Sequence, residues 1–505
     1  MMAAETLQPG TTLGALLEGF TPAGIWSSVG ITGVALDSRR VERGDLFLAL
    51  SGHRGHGADH IGEAVSRGAA AVAVEAARPD TVPTEFGGVP VVAVPALGEA
   101  AGHIAARLFG HPARDLQVVG VTGTNGKSSV SHFIAQALAV EAPCGLIGTL
   151  GSGLYGALRP IGRTTPDPVT LQAELAAQRA QGARWSVLEV SSHGLHQGRV
   201  NGVHFTTAVF TNLSHDHLDY HGDMAAYAEA KRRLFTMPGL RSAVLNLDDP
   251  VARDWLQSLP PEVTVIGYGV EEAARLCGVP LLEGLELTRT STGMRLRVRG
   301  PWGEGELDTP LFGQFNAANL LAALGALLAL ECPFDEALRR LGQVRTVPGR
   351  MERFGGGDAP TVVVDYAHTP DALEQALQAV RPHTAGHLWC LFGCGGERDR
   401  AKRPRMGAVA ERLADRVVLT DDNPRTEPSA AIIDAILAGM ERPERAEVIP
   451  DRGAAIAWAI EQARPGDLLL IAGKGHESVQ ERGGERLPFS DRTTVQRLLP
   501  GGAHG

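Results

Sequence analysis

Apolar residues along this chain fall into two recurring arrangements. Short unbroken apolar runs bounded by glycine, proline or polar residues predict buried strands, and apolar residues at three- and four-residue spacing predict helices. Near the start, runs at 44–50, 70–74 and 90–94 predict strands and 97–109 a helix, with a boundary at His111-Pro112. From 116 onward, buried strands alternate with helices, the sequence form of a parallel α/β sheet. Strands are expected at 116–122, 185–190, 207–211 and 242–246, a helix at 128–140, and antiparallel edge strands over 287–307, where polar and apolar positions alternate. A third unit begins near 347, with strands at 361–365, 388–392, 416–420 and 467–472 separated by helices. That is the pattern of an open nucleotide-binding sheet. The expected fold class is α/β with three domains, 1–110, 111–345 and 346–505: an N-terminal α/β domain, a central parallel sheet of P-loop ATPase type, and a Rossmann-like C-terminal domain.

Composition changes this picture little. A chain of 505 residues, 44% hydrophobic and 21% charged, has ordinary globular composition and is long enough for several cores. A net charge of −10 gives no reason to expect nucleic acid as a general partner, although local cation clusters still bind anions. No apolar run approaches the roughly 20 residues that span a bilayer. Residues 1–19 lack the basic-then-apolar form of a secretory signal, so a cytoplasmic protein is expected. The cysteines (Cys144, Cys277, Cys332, Cys390, Cys394) form no CxxC pair and fit a reducing compartment; Cys390 with Cys394 as a metal pair is the weaker reading.

One bias is sharper. Lysine occurs only at Lys127, Lys231, Lys402 and Lys474, against forty-three arginines. A chain that uses arginine as its general cation is expected to keep lysine where a compact ammonium or a reactive amine is needed.

A predicted strand, a glycine-rich turn, and a lysine opening a helix make an anion site at Gly123, Thr124, Asn125, Gly126, Lys127, Ser128 and Ser129. Backbone N–H groups and the helix N-terminus favour phosphate, Lys127 neutralises it, and Ser128 is placed to help hold Mg²⁺. The glycine spacing is shorter than the usual P-loop form, with Gly120 one residue too distant to complete it. The competing reading is a glycine-rich helix cap.

Further stretches repeat this density of chemistry: Glu-Val-Ser-Ser-His-Gly-Leu at 189–195, Asn-Leu-Ser-His-Asp-His-Leu-Asp-Tyr-His-Gly at 212–222, Tyr-Ala-Glu-Ala-Lys at 227–231, Asp-Tyr-Ala-His-Thr-Pro at 365–370, Asp-Asn-Pro-Arg at 422–425 and Gly-Lys-Gly-His-Glu at 473–477. With the phosphate loop, and in this order over nearly the whole chain, they resemble the Mur ligase family. The resemblance implies an ATP- and Mg²⁺-dependent ligase that joins a diamino acid to a UDP-N-acetylmuramoyl dipeptide, acting as a monomer. It implies catalytic roles for Lys127, Lys231, His217 and Glu189, with Ser128, Glu189, His217 and Lys231 around the metal, and carbamylation of Lys231. A guanidinium offers no free amine for that modification. A surface lysine beside Glu229, and a structural His217–Asp216 pair, are the competing readings.

The resemblance further assigns Asn316, Asn319, Arg350 and Asp365 to ATP; a helix-capping aspartate is the alternative for Asp365. It assigns Leu36, Ser38, His53, Arg54 and Gly55 to the UDP end of the substrate, and Thr164, Thr165, Ser191, Gln197 and Arg199 to its peptide end, where turn and cap roles compete for the hydroxyls. Arg163 stands where the family often has asparagine. The added amino acid is assigned to Arg398, Asp422, Asn423, Pro424, Arg425, Gly473 and Glu477. Arg425 suits the extra carboxylate of diaminopimelate and Glu477 its distal ammonium; lysine and ornithine remain alternatives. The cationic loop 395–404, with Lys402, is readable as solvated. A folylpolyglutamate-synthase-like ligase and a non-catalytic nucleotide-binding protein are the rivals. Against them stand the Asp-Ser-Arg stretch at 37–39 and the presence of both Glu189 and Lys231.

Overall fold

The computed structural model describes residues 10–52, 55–76, 84–290 and 293–499. The chain divides into two compact units, Met1–Leu282 with Leu321–Ala337, and Glu283–Leu320 with Leu338–Gly505.

The first unit holds two sheets. The N-terminal one has the strand order Gly33–Ala35, Asp45–Ala49, Ala71–Glu75, Val89–Val94, Glu85–Phe86, parallel except for the last pair. Alternate side chains sort to its two faces: Leu46, Leu48, Ala71 and Ala73 face one core with Leu97, Ile104 and Leu108, while Phe47, Ala49, Val72 and Val74 face another. Apolar residues recurring over Leu97–Leu108 make that helix amphipathic, as its spacing predicts.

In the second sheet of this unit the order runs Gly151–Leu154, Cys144–Gly148, Trp185–Glu189, Gln117–Thr122, Phe205–Phe210, Ser242–Asn246, Thr264–Gly269. All pairs are parallel except the first. Gly120 is a strand residue, not part of the phosphate loop. A Cβ there would lie 2.8 Å from the Phe205 ring and 3.1 Å from Leu234, so the glycine admits those side chains to the core. Asp167 caps the helix Pro168–Ala180, and Asp249 caps Pro250–Trp255, each with proline in the first turn.

The second unit contains an antiparallel meander, Leu281–Thr290, Gly293–Gly300 and Gly303–Thr309, matching the alternation at 287–307. Its main sheet has the order Glu352–Gly355, Thr361–Asp365, Leu468–Ala472, Leu388–Phe392, Arg416–Leu419, Ala446–Val448, parallel after the first strand. Both faces are covered, by cores containing Val363, Cys390 and Phe392 on one side and Val362, Val364 and Leu391 on the other. Burial on both faces explains why these strands read as continuous apolar runs. No helix among the described residues is long and apolar enough to cross a membrane.

Candidate active site

In a parallel sheet, loops that follow strands emerge along one edge. In the first unit that edge carries Gly123–Ser129 after Gln117–Thr122, Thr149 after Cys144–Gly148, and Glu189 at the end of Trp185–Glu189. At Gly123 the backbone has φ 148°, and a Cβ would fall 1.9 Å from Thr211 Oγ1; only glycine lets the loop approach the neighbouring strand this closely. Gly126, at φ 83°, starts the helix Lys127–Ala139, giving the loop the helix N-terminus that anion binding requires.

Lys127 Nζ donates to the carbonyl oxygens of Gly123 and Thr124 at 2.9 Å each. Lys231 Nζ donates to the same Gly123 oxygen at 2.7 Å and lies 4.4 Å over the Tyr227 ring. Lys231 is 1% exposed, and Glu229 pairs with Arg232 instead, so it is not a surface lysine. Burial, reinforced by the nearby Lys127 charge, pushes the Lys231 ammonium well below its usual range and favours the free amine.

Glu189, 1% exposed, is the hub of the adjoining network. Ser128 Oγ donates to its Oε2 at 2.8 Å, Thr149 Oγ1 to the same oxygen at 3.1 Å, and Thr149 N–H to Oε1 at 3.0 Å. Thr149 Oγ1 also lies 3.0 Å from Thr164 Oγ1. Thr165 Oγ1 donates to the Glu189 carbonyl at 2.9 Å and lies 3.0 Å from Ser191 Oγ. Arg199 donates to the Thr165 carbonyl at 2.8 Å and to Gln197 Oε1 through Nε and Nη2. The peptide-end residues named from the sequence thus form one chain of contacts leading to Ser128 and Glu189. Ser191 also caps Ser192–His196 through Gly194 N–H, so its cap role is real as well.

His217 is placed differently. It adopts φ 53° before the helix Leu218–His221, with Nε2 3.4 Å from Asp216 Oδ2 and its ring 4.9 Å from His193 and 6.1 Å from Tyr227. Among the described residues no group of three or more His, Cys, Asp or Glu side chains gathers that could hold a metal alone. Mg²⁺ needs less from a protein: one or two hard oxygens, with phosphate and water completing its shell. The Ser128 hydroxyl and Glu189 carboxylate beside the phosphate loop fit that demand.

In the N-terminal sheet, Leu36 and the hairpin Ser51–Gly52 with Gly55–His56 follow the ends of neighbouring parallel strands and so share an edge. Ser38 is buried and donates to Glu63 at 2.6 Å. His53 and Arg54 lie outside the described residues.

The second unit repeats the edge arrangement. Asp365 ends Thr361–Asp365, Arg398 lies in the loop after Leu388–Phe392, Asp422–Arg425 follow Arg416–Leu419, and Gly473–Glu477 follow Leu468–Ala472. Asp365 accepts from Met351 N–H and Ala367 N–H at 2.8 Å each. Burial raises its carboxyl against the opposing charge of Arg350, whose guanidinium lies 4.4 Å over the Tyr366 ring. The next helix, Pro370–Val380, is capped by Thr369, which removes the capping reading of Asp365. Asn319 donates to Asn316, and Asn316 to the Phe312 carbonyl, so these two buried amides are brought to each other but not to Asp365.

Around Gly395, a Cβ would lie 3.3 Å from Arg425 Nη1 and 3.5 Å from Arg398 Cγ, so the two arginines converge. Arg425, at φ 54°, donates through Nε to Glu481 Oε2 at 3.0 Å and through Nη1 to the Gly396 carbonyl at 2.6 Å. Part of the guanidinium fork is therefore already engaged within the chain, because the hairpin Val479–Arg482 with Glu485–Pro488 carries Glu481 to it. Glu477 likewise has partners, Lys474 and Asn423. The stretch 395–404 is neither all loop nor simply solvated: its end opens the helix Lys402–Leu413, where Arg403, 2% exposed, pairs with Glu427 and Lys402 donates to the His368 carbonyl. Cys390 and Cys394 are buried free thiols, both pushed well above the ordinary thiol range by burial, which suits packing and not metal ligation.

Three family models match in chain order: Mur ligase family, catalytic domain, over residues 30–108; Mur ligase middle domain over 121–327; and Mur ligase, glutamate ligase domain over 349–475. The chain is 51% identical to the UDP-N-acetylmuramoyl-L-alanyl-D-glutamate--2,6-diaminopimelate ligase of Pseudomonas aeruginosa, over 92% of this chain and 94% of that one. The chain belongs to the Mur ligase family. The ligase of the same name from Ectopseudomonas mendocina is 52% identical over 94% of this chain and 96% of that one. A solved structure of a ligase with that name aligns with TM-score 0.72 at 36% identity, covering 97% of this chain and 99% of that one. The expected three-domain α/β Mur ligase architecture is thereby found, and with it the enzyme class, an amide-forming ligase. Thr149 and Tyr227 in the first unit of this Mur ligase, and Glu427, Glu481 and Lys474 in the second, touch the assigned residues of their own unit although the motifs did not single them out for a role. Only Lys474 carried a signal, through the scarcity of lysine.

Proposed function

We propose that the chain is an ATP-dependent ligase adding meso-2,6-diaminopimelate to UDP-N-acetylmuramoyl-L-alanyl-D-glutamate, in cytoplasmic peptidoglycan precursor synthesis. The observation that carries this reading is the meeting of Lys127 and Lys231 on the Gly123 carbonyl, beside the Ser128–Glu189 pair. It provides a phosphate cradle, a buried amine and hard oxygen donors in one place. The domains follow as 1–110 for the UDP-sugar end, 111–345 for ATP and 346–505 for the amino acid, and the chain acts as a monomer.

In the proposed reaction the D-glutamyl carboxylate takes the γ-phosphoryl group of ATP, giving an acyl phosphate and ADP. The amine of the diamino acid attacks the acyl carbon, and the tetrahedral intermediate expels phosphate. Lys127 and the loop N–H groups offset phosphate charge, while Thr164, Thr165, Ser191, Gln197 and Arg199 fix the peptide end so that its carboxylate faces them. Ser128 and Glu189, together with His217, would hold Mg²⁺, which would further offset phosphate charge. CO₂ adds to the neutral Lys231 Nζ, forming an N–C bond and releasing a proton, so the side chain becomes an anionic carbamate. Arg398 and Arg425 take the substrate's carboxylates, and Asp422, Asn423, Gly473 and Glu477 its ammonium. The engagement of Arg425 by Glu481 favours a second reading, in which L-lysine or L-ornithine is the amine.

Phosphate release with ATP, the UDP-muramoyl dipeptide and each of the three amines decides between them. Turnover with diaminopimelate well above lysine and ornithine is expected. Turnover with lysine or ornithine alone overturns the choice of amine, and no amine-dependent turnover overturns the ligase reading.

A further inference from the structure

Lys474 is the most deeply enclosed of the four lysines, with 0% of its side chain exposed. Its Nζ donates to Asn423 Oδ1 and to Glu477 Oε2, each at 2.9 Å. Asn423 Nδ2 donates to that same Glu477 oxygen, also at 2.9 Å. The N–H of Glu481 supplies a second donor to Asn423 Oδ1, at 3.0 Å. An ammonium only donates, and so does a backbone N–H; between them they oblige the Asn423 amide to turn its oxygen inward and its NH₂ toward Glu477.

This arrangement makes the two oxygens of Glu477 unequal. Oε2 receives two hydrogen bonds, while Oε1 meets no donor among the described residues. Burial pushes the Glu477 carboxyl up, but the Lys474 charge and the bonds from Lys474 and Asn423 outweigh it and leave the group ionised. Asp422 is the other carboxylate here, close enough to Gly473 that a Cβ would lie 2.4 Å from its Oδ2; burial raises its carboxyl, against the charges of Arg452 and Lys474. A guanidinium, planar and bulkier, does not fit a fully enclosed position that a compact ammonium fills, which accounts for a lysine here in a chain so rich in arginine.

We propose that Lys474 is a positioning residue for the added diamino acid: its buried ammonium turns the Asn423 amide and occupies one oxygen of Glu477, leaving the other oxygen to receive the substrate's distal ammonium. The inference rests on the diamino-acid ligase reading above.

The test is a double-mutant cycle on the full chain, read by phosphate release with each substrate varied in turn. In Lys474→Met the KM for diaminopimelate is expected to rise at least about tenfold, the loss of charge-assisted bonds, with the KM values for ATP and UDP-muramoyl dipeptide within about twofold. Because Lys474 acts through Glu477, Lys474→Met/Glu477→Gln is expected to be no more than about twofold worse than the poorer single variant. An unchanged KM for diaminopimelate, equal rises for all three substrates, or effects that multiply would each overturn the proposal. If Lys474→Met does not fold, the comparison of Glu477→Gln with the double variant, in which both charges are removed together, decides alone: a further tenfold rise overturns it. A wild-type chain without diaminopimelate-dependent turnover overturns the function itself, an outcome visible before any variant is made.

Discussion

The amines of Lys127 and Lys231 share one carbonyl oxygen, that of Gly123. Burial, with the charge of Lys127 beside it, pushes the Lys231 ammonium well below its usual range and so favours the free amine that reaction with CO₂ requires. Lys231→Arg puts a permanent cation in place of the amine that CO₂ needs, and kcat is expected to fall by about 10²–10³, the scale of losing one stabilising group at a transition state. Single-turnover phosphate release, with melting to verify folding, checks this. At the amino-acid end, Arg425 is expected to contribute about 1.5–3 kcal/mol to diaminopimelate, so Arg425→Ala should raise its KM by roughly ten- to a hundredfold while lysine is affected far less. An equal loss for both amines would mean that Arg425 supports the loop and not the carboxylate.

Elements decide where these side chains stand. The loop that carries Arg398 and the start of the helix Lys402–Leu413 after it are tied to the segment after Arg425 by Glu427: its carboxylate takes Arg403 through both terminal nitrogens at 2.8 Å and accepts from Glu397 N–H at 3.2 Å. Arg403 holds the Glu427 carboxyl down at about 2, from an ordinary value of 4.5. A depressed carboxyl stabilises the fold above its unfolded pKa and loses that contribution as pH falls through the folded one. The difference in urea midpoint between the wild-type chain and Glu427→Gln is therefore expected to be full above pH about 4.5 and to shrink as pH falls toward about 2. A difference that grows on acidification would contradict the pairing. Beneath the same edge, Arg452 and Asp491, both 0% exposed, join the helices Arg452–Gln462 and Asp491–Leu498, and Arg452 reaches the carbonyls of Asp421 and Ala472. It thereby braces the starts of the two loops that follow Arg416–Leu419 and Leu468–Ala472.

At the scale of the whole molecule, many of the assigned residues stand at strand ends, where loops vary freely while the sheets stay fixed, and Lys231, Asn316 and Asn319 stand on helices. Nucleotide binding to the folded chain is expected to stabilise it by about 2.7 kcal/mol at a hundredfold excess over Kd. A rise in melting temperature with ATP and Mg²⁺, lost in Lys127→Met and diminished by EDTA, is the corresponding measurement. A shift that survives Lys127→Met would place the nucleotide elsewhere.

By itself the sequence determined the strands, because sheets buried on both faces demand unbroken apolar runs; the stretches 242–246, 361–365 and 388–392 are strands to the residue. It also determined the family and the residues with unusual chemistry, since a phosphate loop needs glycines and a lysine close together, and Lys231 stands out where arginine is the default cation. Tertiary structure decided the partnerships. Thr149 meets Glu189 across forty residues, Glu481 meets Arg425 across fifty-six, and Lys474 meets Asn423 across fifty-one. A threonine after a strand or a glutamate in a hairpin is commonplace in sequence; its role arises only when folding brings a distant charge within hydrogen-bond range. The phosphate loop is local and so is legible. The state of Lys231, buried beside a second ammonium, is not local, and only the folded chain sets it.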